Sequence, residues 1–201
     1  MSQTTTTPAE KGQDKRERIF RAAIEVFAQR GFFNARVSEV AKAAGVADGT
    51  IYLYFDGKED LLVQVFRDGM RTFLDVLDRE LEPIRDPRSK LERTIRYHLE
   101  TIGRDRELAI VVQVELRHSL KFMSLFSHQE LADYLNLLRS IVEEGQKKNV
   151  FRTEIHPQMA AKAIFGVLDE MVTSWVLSEK HSRLEDSADQ VCEILLGGLD
   201  A

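Results

Sequence analysis

The 201-residue sequence predicts an all-α protein of about nine helices. Apolar residues recur three and four positions apart through most of the chain, which is the spacing of one helix face. Only four prolines occur, and long stretches are rich in Ala, Leu, Glu, Arg and Lys, which favour helix. No segment shows the alternation of apolar and polar residues that is typical of a half-buried strand.

The first 57 residues predict a tail and a small helical domain. Residues 1–12 are polar and are expected to form a disordered tail, and residues 13–57 form the predicted first domain. Its first helix ends at Gly31, and its second, with Val37 and Val40 on one face, ends at Gly45. The third helix is expected over 48–55.

Residues 58–201 form the predicted second domain, and paired polar residues mark where its helices begin. Asp56 with Glu59 predicts a capping box for a long helix towards Glu82, and Asp86 with Pro87 predicts the next N-cap. A helix resumes at 107. The later helices are predicted to begin near Ser127 with Glu130, at Pro157, and near Ser182 with Glu185, and the last is expected to end at Gly197.

The net charge of −5 is unevenly distributed. Residues 1–55 carry a net charge of +2, whereas residues 56–201 carry −7. An acidic protein is a poor general binder of nucleic acid, but a small basic end can still contact phosphates. The single Cys192 excludes an internal disulfide, and no apolar run is long enough to cross a membrane. We therefore expect a cytoplasmic protein.

The stretch GVADGTIYLYF at 45–55 predicts a helix-turn-helix. Gly45 permits a left-handed turn between two short helices, and the small Gly49 and Thr50 allow close approach to a DNA major groove. Tyr52 and Tyr54 can reach phosphates or thymine methyl groups, while Ile51 and Phe55 are expected to face the first helix. The alternative is a helical hairpin whose aromatic residues belong to the core.

The run VSEVAKAAGVADGTIYLYFDGKEDLL resembles the DNA-binding signature of TetR-type transcriptional repressors. The resemblance implies a homodimer on operator DNA, with an N-terminal helix-turn-helix domain and a helical ligand-binding domain. One departure is that Ala35 and Arg36 stand where the family carries Ser or Thr, so the second helix lacks a hydroxyl cap worth about 1 kcal/mol. The predicted DNA contacts are Arg36, Val37, Ser38, Ala47, Gly49, Thr50, Tyr52, Tyr54 and Lys58.

Two later stretches, ELAIVVQVELRHS at 107–119 and AIFGVLDEMVTSWVLSEK at 163–180, resemble acyl-CoA-responsive repressors of fatty-acid degradation, a TetR branch. The resemblance implies a long-chain fatty acyl-CoA effector that releases the protein from promoters of β-oxidation genes. No other cofactor is expected. Many TetR-type proteins instead respond to drugs or other cations, and Glu100, Glu115 and Asp169 are candidates to surround such a ligand.

An acyl chain requires a long apolar cavity, and coenzyme A requires cations for its phosphates. The predicted ligand-binding residues are Phe66, Met70, Phe73, Leu74, Ile95, His98, Leu99, Ile102, Val114, Arg117 and Phe122. Each apolar member of this set is also an unremarkable core residue, and a core role is the default interpretation of any single one. Residues 85–106 hold seven Lys and Arg against four acids, which fits either a phosphate-binding patch or a solvated helix face.

The helix from Pro157 has an apolar surface wider than a surface helix needs, which favours contact with a partner. With the last helix it predicts a two-fold four-helix interface through Phe165, Leu168, Val172, Trp175, Ile194 and Leu195. A helix buried within a monomer is the alternative.

The sequence offers little support for catalysis. Its five histidines show no metal-ligand spacing such as HExxH, and no nucleophile or phosphate-loop motif is present. An acyl-CoA thioesterase would share the ligand, and His98 and Glu115 are its only candidate catalytic residues. We therefore expect a protein that is not an enzyme and holds no metal.

Overall fold

The computed structural model describes residues 8–115, 129–179 and 182–201, and side chains within these ranges from residue 14 onward except that of Glu115. These residues form nine α-helices and no strand, which confirms the predicted all-α fold. No helix among them has the length and apolar character needed to cross a membrane. The helices are α1 Pro8–Arg30, α2 Val37–Ala44, α3 Asp48–Ile51, α4 Lys58–Leu81, α5 Pro87–Gly103, α6 Arg106–Ile110, α7 Glu130–Lys147, α8 Pro157–Leu177 and α9 Ala188–Leu199.

Several predicted helix ends are confirmed by their local geometry. Gly31 and Gly45 adopt left-handed φ values of 74° and 66°, which end α1 and α2. The Asp86 carboxylate accepts the Ser89 N–H at 2.9 Å ahead of α5. Pro157 is the first residue of α8.

Five predicted boundaries are wrong, among them the start of the last helix: α9 begins at Ala188, after a 3-10 turn at Leu184–Ser187, and not near Ser182. Helix α1 already begins at Pro8, inside the predicted tail, and residues 1–7 lie outside the described ranges. Helix α4 begins at Lys58, and its Asp60 rather than Glu59 accepts the Asp56 N–H, at 3.0 Å. Helix α3 ends at Ile51, and α9 continues past Gly197 to Leu199. Helix α7 is described from Glu130, whereas Ser127 lies outside the described residues.

Two hydrophobic cores are built side by side. The first unites α1, α2, α3 and the start of α4 around Phe27, Phe32 and Ile51. The second unites α5, α7, α8 and α9 with the later part of α4. Helix α6 continues into a π-helical turn, Val111–Glu115, and buried Val111 inserts into the first core. We call α6 together with this turn, residues 106–115, the α6 segment. The two cores therefore meet at α4 and at the α6 segment.

Gly145 in α7 lies against the ring of Phe151. A Cβ atom at Gly145 would come within 2.1 Å of Phe151 Cδ2, and Phe151 is 1% exposed. The enclosed ring has no free space into which it can move. Glycine is thus required at this helical position by packing, in spite of its low helix propensity.

We expect Gly145→Ala to lower the free energy of unfolding by about 1–3 kcal/mol, because the added methyl overpacks the core. Gly69→Ala in α4 is the matched control, since a Cβ atom at Gly69 would meet nothing within 4 Å. The control should gain up to about 1 kcal/mol from helix propensity alone. Urea unfolding followed by circular dichroism measures both, and an equal effect of the two substitutions would contradict the packing argument.

Candidate functional site

The third helix and the turn after it divide into a buried side and an exposed side. Ile51 and Phe55 are 0% and 2% exposed, and the Phe55 ring lies 5.5 Å from that of Phe20 in α1. Tyr52 is 60% exposed. The arrangement fixes a one-turn helix by its apolar side and leaves its other side open for a partner.

The nine residues predicted to contact DNA lie on α2, α3 and their flanks. Exposed among them are Arg36, Ser38, Ala47, Gly49 and Tyr52, while Val37, Thr50, Tyr54 and Lys58 are half-buried. Sequence reasoning did not single out Leu53 and Phe33, which are 81% and 66% exposed. Both are large apolar side chains, which a surface facing water does not require, and this is the signal by which they could have been identified.

Lys58 is placed differently from the prediction of a free phosphate contact. Its ammonium donates to the carbonyl oxygens of Phe32, Phe33 and Ala35 at 3.0, 3.1 and 3.3 Å. It also lies 4.7 Å from the centre of the Phe32 ring. Since an ammonium has three N–H groups, these three hydrogen bonds engage all of them. Lys58 thus ties the start of α4 to the turn between α1 and α2.

Arg36 leaves α2 partly capped. The Glu39 carboxylate accepts the Arg36 backbone N–H at 2.9 Å, which is one half of a capping box. The half that a Ser or Thr hydroxyl would supply is missing, because a guanidinium has no acceptor. The Arg36 side chain is exposed, as is that of Ser38.

A cavity of about 430 Å³ lies in the second domain between α4, α5, α6, α7 and α8. Of the predicted ligand-binding residues, five line it: Phe66, Met70, Phe73, His98 and Ile102. Phe165 and Val172, predicted at a dimer interface, line it as well. The lining residues that sequence reasoning missed are Val65, Gly69, Thr101, Leu108, Ala109, Val112, Gln113, Leu131 and Tyr134, along with Asp169, which had been considered only for a cationic ligand.

Four predicted lining residues do not lie in the cavity wall. Ile95 and Leu99 are 0% exposed and belong to the core. Leu74 and Val114 are half-buried and pack against the same core. Helical spacing identified apolar positions but not the side of the helix that borders the space. Arg117 and Phe122 lie outside the described residues.

One side of the cavity wall is polar. His98 Nδ1 and the Tyr134 hydroxyl share a hydrogen bond of 3.0 Å. Burial lowers the pKa of His98 to about 4, so its imidazole is neutral near pH 7, and burial raises the pKa of Tyr134. Gln113 Nε2 donates to Asp169 Oδ1 at 3.2 Å.

The basic stretch at 85–106 is largely neutralised by ion pairs. Arg88 pairs with Asp200, Lys90 with Glu144, Arg93 with Glu80 and Glu100, and Arg96 with Glu92 and Asp189. Arg106 donates to the carbonyl oxygens of Val176 and Ser178 at 2.8 and 3.0 Å. The structure therefore favours a salt-bridged helix surface over an open phosphate-binding patch.

The structure buries two of the six residues predicted at the dimer interface. Leu168 and Val172 are 0% and 1% exposed within this chain's own core, and the Phe165 ring packs 6.1 Å from that of Tyr134. Trp175 is half-buried, its indole N–H donates to Ser182 O at 2.8 Å, and Arg106 lies 5.2 Å from its ring. Leu195 is half-buried, and Ile194 alone of the six is exposed, at 69%.

A different face of α8 is open. Its exposed positions recur mostly three and four residues apart, which places them on one side of the helix: Met159, Lys162, Ala163, Gly166, Glu170, Ser174 and Leu177. Met159 and Leu177 are 62% and 72% exposed. On α9, Ile194, Gly197 and Gly198 are exposed too. We call these exposed positions of α8 and α9 the small-residue face.

The α6 segment separates the cavity from the first core. Leu108 and Val112 line the cavity and also pack against the first core. An ion pair between Arg21 of α1 and Asp105, the N-cap of α6, fastens the two elements together. A ligand that moves this wall therefore pushes directly on the first domain.

Two family profiles cover nearly all of the chain. The profile described as bacterial regulatory proteins, tetR family, matches residues 19–65. The profile described as YsiA-like protein, C-terminal region, matches residues 66–198. Their junction falls within α4, where the two hydrophobic cores meet.

The chain is also similar to whole proteins. It is 37% identical to the fatty acid metabolism regulator protein of Bacillus subtilis over 90% of this chain and 93% of that one. The structure of the fatty acid degradation regulator FadR from Bacillus halodurans superposes with a TM-score of 0.88, at 39% identity, over 97% and 98% of the two chains. FadR from Bacillus subtilis in complex with stearoyl-CoA gives a TM-score of 0.86 at 37% identity, over 90% and 98%.

Proposed function

This chain belongs to the tetR family of bacterial regulatory proteins, and we propose that it represses fatty-acid degradation genes and is released from its operator by long-chain acyl-CoA. The observation that carries the proposal is the apolar cavity whose α6 wall is also a wall of the DNA-binding core. Similarity to a regulator solved with stearoyl-CoA supports the choice of effector. Since its target is chromosomal DNA, its place of action is the cytoplasm.

The cavity suits an alkyl chain. Its volume of about 430 Å³ lies in the range of ligand sites, and most of its lining side chains are apolar. Burying an alkyl chain there releases apolar surface from water at about 25 cal/mol per Å². The coenzyme A portion carries phosphates that an apolar wall cannot solvate, so it lies outside this space.

Ligand binding reaches the DNA-binding domain by two routes. Helix α4 contributes Val65 and Phe66 to the cavity and Leu61 and Leu62 to the first core, and Lys58 ties its start to the α1–α2 turn. The α6 segment offers the second route through Leu108 and Val112. A chain inserted between α4 and α6 changes the angle of the first domain and hence the separation of two recognition helices in a dimer.

Release requires that acyl-CoA bind the DNA-free form more tightly. A hundredfold loss of operator affinity corresponds to about 2.7 kcal/mol of differential binding. By linkage, operator DNA weakens acyl-CoA binding by the same factor. No catalytic step is needed for this function, and the protein works as a binding switch.

Operator binding titrated with palmitoyl-CoA, free palmitate, free coenzyme A and a cationic dye tests the effector. We expect release with the thioester alone, because only that ligand combines the alkyl chain with the coenzyme A group. Phe73→Trp should shift the response towards shorter chains by filling the cavity. Release by the dye and by no acyl-CoA would favour an efflux-type regulator, and thioester hydrolysis on the same timescale would favour an enzyme.

The tether at Lys58 gives a prediction for DNA binding. Lys58→Met should weaken operator binding roughly tenfold through lost hydrogen bonds, yet leave the slope of log K against log salt unchanged. Arg36→Ala is the control, since losing one phosphate contact should reduce that slope by about one. Fluorescence anisotropy between 50 and 200 mM salt, typical for such titrations, measures both. A reduced slope for Lys58→Met would restore its role as a phosphate contact.

We place the two-fold interface of the dimer at the small-residue face. Exposed Met159, Leu177 and Ile194 are apolar surface that a monomer leaves in water, and Gly166 lets a partner helix approach closely. Among the seven exposed positions of α8, Lys162 and Glu170 carry a charge and the other five do not, whereas solvent-facing stripes are usually rich in charge. Two copies of α8 and α9 then form a four-helix contact.

Gly166→Arg should convert the dimer into a folded monomer, because a Cβ at Gly166 meets nothing within 4 Å in the chain itself while the charged side chain blocks a partner. Operator affinity should fall with it, since half-site spacing depends on the dimer. Asn136→Arg on the exposed side of α7 is the control and should stay dimeric. Analytical ultracentrifugation decides, and a dimeric Gly166→Arg protein would move the interface elsewhere.

A further inference from the structure

The cavity contains hydrogen-bonding groups that an alkyl chain does not need. His98 and Thr101 come from α5, Tyr134 from α7, Gln113 from the π-helical turn and Asp169 from α8. A saturated chain offers no partner to any of them, and a buried polar group without a partner is costly. Their presence calls for either mutual bonding or a polar ligand atom.

Part of this polar wall is satisfied internally. Gln113 donates to Asp169 at 3.2 Å and accepts from the Thr173 hydroxyl at 3.3 Å, so both ends of its amide are engaged. The same Thr173 hydroxyl lies 2.9 Å from Asp169 O and has a single hydrogen to share between the two acceptors. Gln113 and Asp169 thus mainly serve each other.

The groups on α5 are not satisfied in this way. His98 forms one hydrogen bond within the described part of the chain, through Nδ1 to Tyr134 at 3.0 Å, and its Nε2 forms none there. Three residues along α5, the buried Thr101 hydroxyl has no hydrogen-bond partner among the described residues. Since both side chains line the cavity, an unused hydrogen-bonding position faces the ligand.

The chemistry of this position follows from the state of the imidazole. Burial lowers the pKa of His98 to about 4, so the ring is neutral near pH 7 and has one donor and one acceptor nitrogen. When Tyr134 donates to Nδ1, Nε2–H is a donor for a carbonyl or hydroxyl oxygen. When Nδ1 donates to Tyr134, Nε2 accepts from a hydroxyl group. In both arrangements the matching ligand atom is an oxygen.

We propose that His98, oriented by Tyr134, hydrogen-bonds an oxygen atom of the effector's acyl group, either the thioester carbonyl or a hydroxyl group near it. The site thereby distinguishes an oxygen-bearing acyl thioester from a ligand with only an alkyl chain at that point. A site built to bond such an atom rejects the analogue that lacks it, because its own group is then left unpaired. This inference rests on the proposed acyl-CoA effector.

Three ligands test the inference through operator release: palmitoyl-CoA, its thioether analogue S-hexadecyl-CoA, which lacks the carbonyl oxygen, and 3-hydroxypalmitoyl-CoA. For wild type, we expect about a tenfold preference for the ligand with the critical oxygen over its partner lacking it. His98→Phe should bring that ratio to about one. A preference for palmitoyl-CoA over S-hexadecyl-CoA reports a contact to the thioester carbonyl. A preference for 3-hydroxypalmitoyl-CoA over palmitoyl-CoA reports a contact to the hydroxyl group.

Two further variants separate recognition from packing. His98→Gln retains a donor and an acceptor in a side chain of similar reach, so it should keep part of the preference. Met70→Leu changes the apolar side of the cavity with little change in volume and should alter the response to all three ligands by one common factor. Thermal unfolding confirms that each variant is folded.

The outcomes are distinct. Ratios in His98→Phe equal to those of wild type, or a wild type without any preference for oxygen, would overturn the role of His98 while leaving the acyl-CoA response intact. If none of the three coenzyme A derivatives released the wild-type protein from its operator, the proposed function would be overturned, and the inference with it.

Discussion

Helix α4 belongs to two hydrophobic cores, and that shared burial governs how the rest of the molecule is arranged. Its first turns pack Leu61 and Leu62 against α1 and α2, whereas its later turns pack Phe73 and Leu77 against α5 and α7. Because a packed helix transmits strain along its length, neither domain can change its angle to α4 without repacking a core. Lys58 strengthens this connection at the DNA-binding end by bonding three carbonyl oxygens.

The cavity lies where the two cores come closest. It is bounded on one side by α4 and on another by the α6 segment, whose Leu108 and Val112 also contact the first core. An apolar ligand at this position therefore replaces part of the packing on which the domain angle depends. The coupling between effector and operator requires no long pathway, since a single layer of side chains separates the ligand from the DNA-binding domain.

The basic residues of α5 and Arg106 are engaged mainly with other parts of the chain and are little available to a ligand. Four basic residues on α5 pair with acids on α4, on α7, on α9 and at Asp200 just after α9, and Arg106 donates to the C-terminal carbonyls of α8. Exposed pairs of this kind are individually worth at most about 1 kcal/mol. The orientation of α8 follows from its apolar side, because Ile164, Leu168 and Val172 are buried in the core and leave the small-residue face outward.

The sequence by itself determined the all-α fold, the cap at Asp86, the helix start at Pro157, the turn at Gly45 and the buried and exposed sides of residues 48–55. These features depend on local periodicity and on backbone preferences that a short stretch carries. The tertiary structure decided which apolar residues border space and which are packed solid: Ile95 and Leu99 point into the core, whereas Phe165 and Val172 point into the cavity. It also decided that Lys58 bonds carbonyl oxygens and that Leu168 is interior. An apolar or basic side chain has the same local signature in either setting, and only the elements packed around it set its partners.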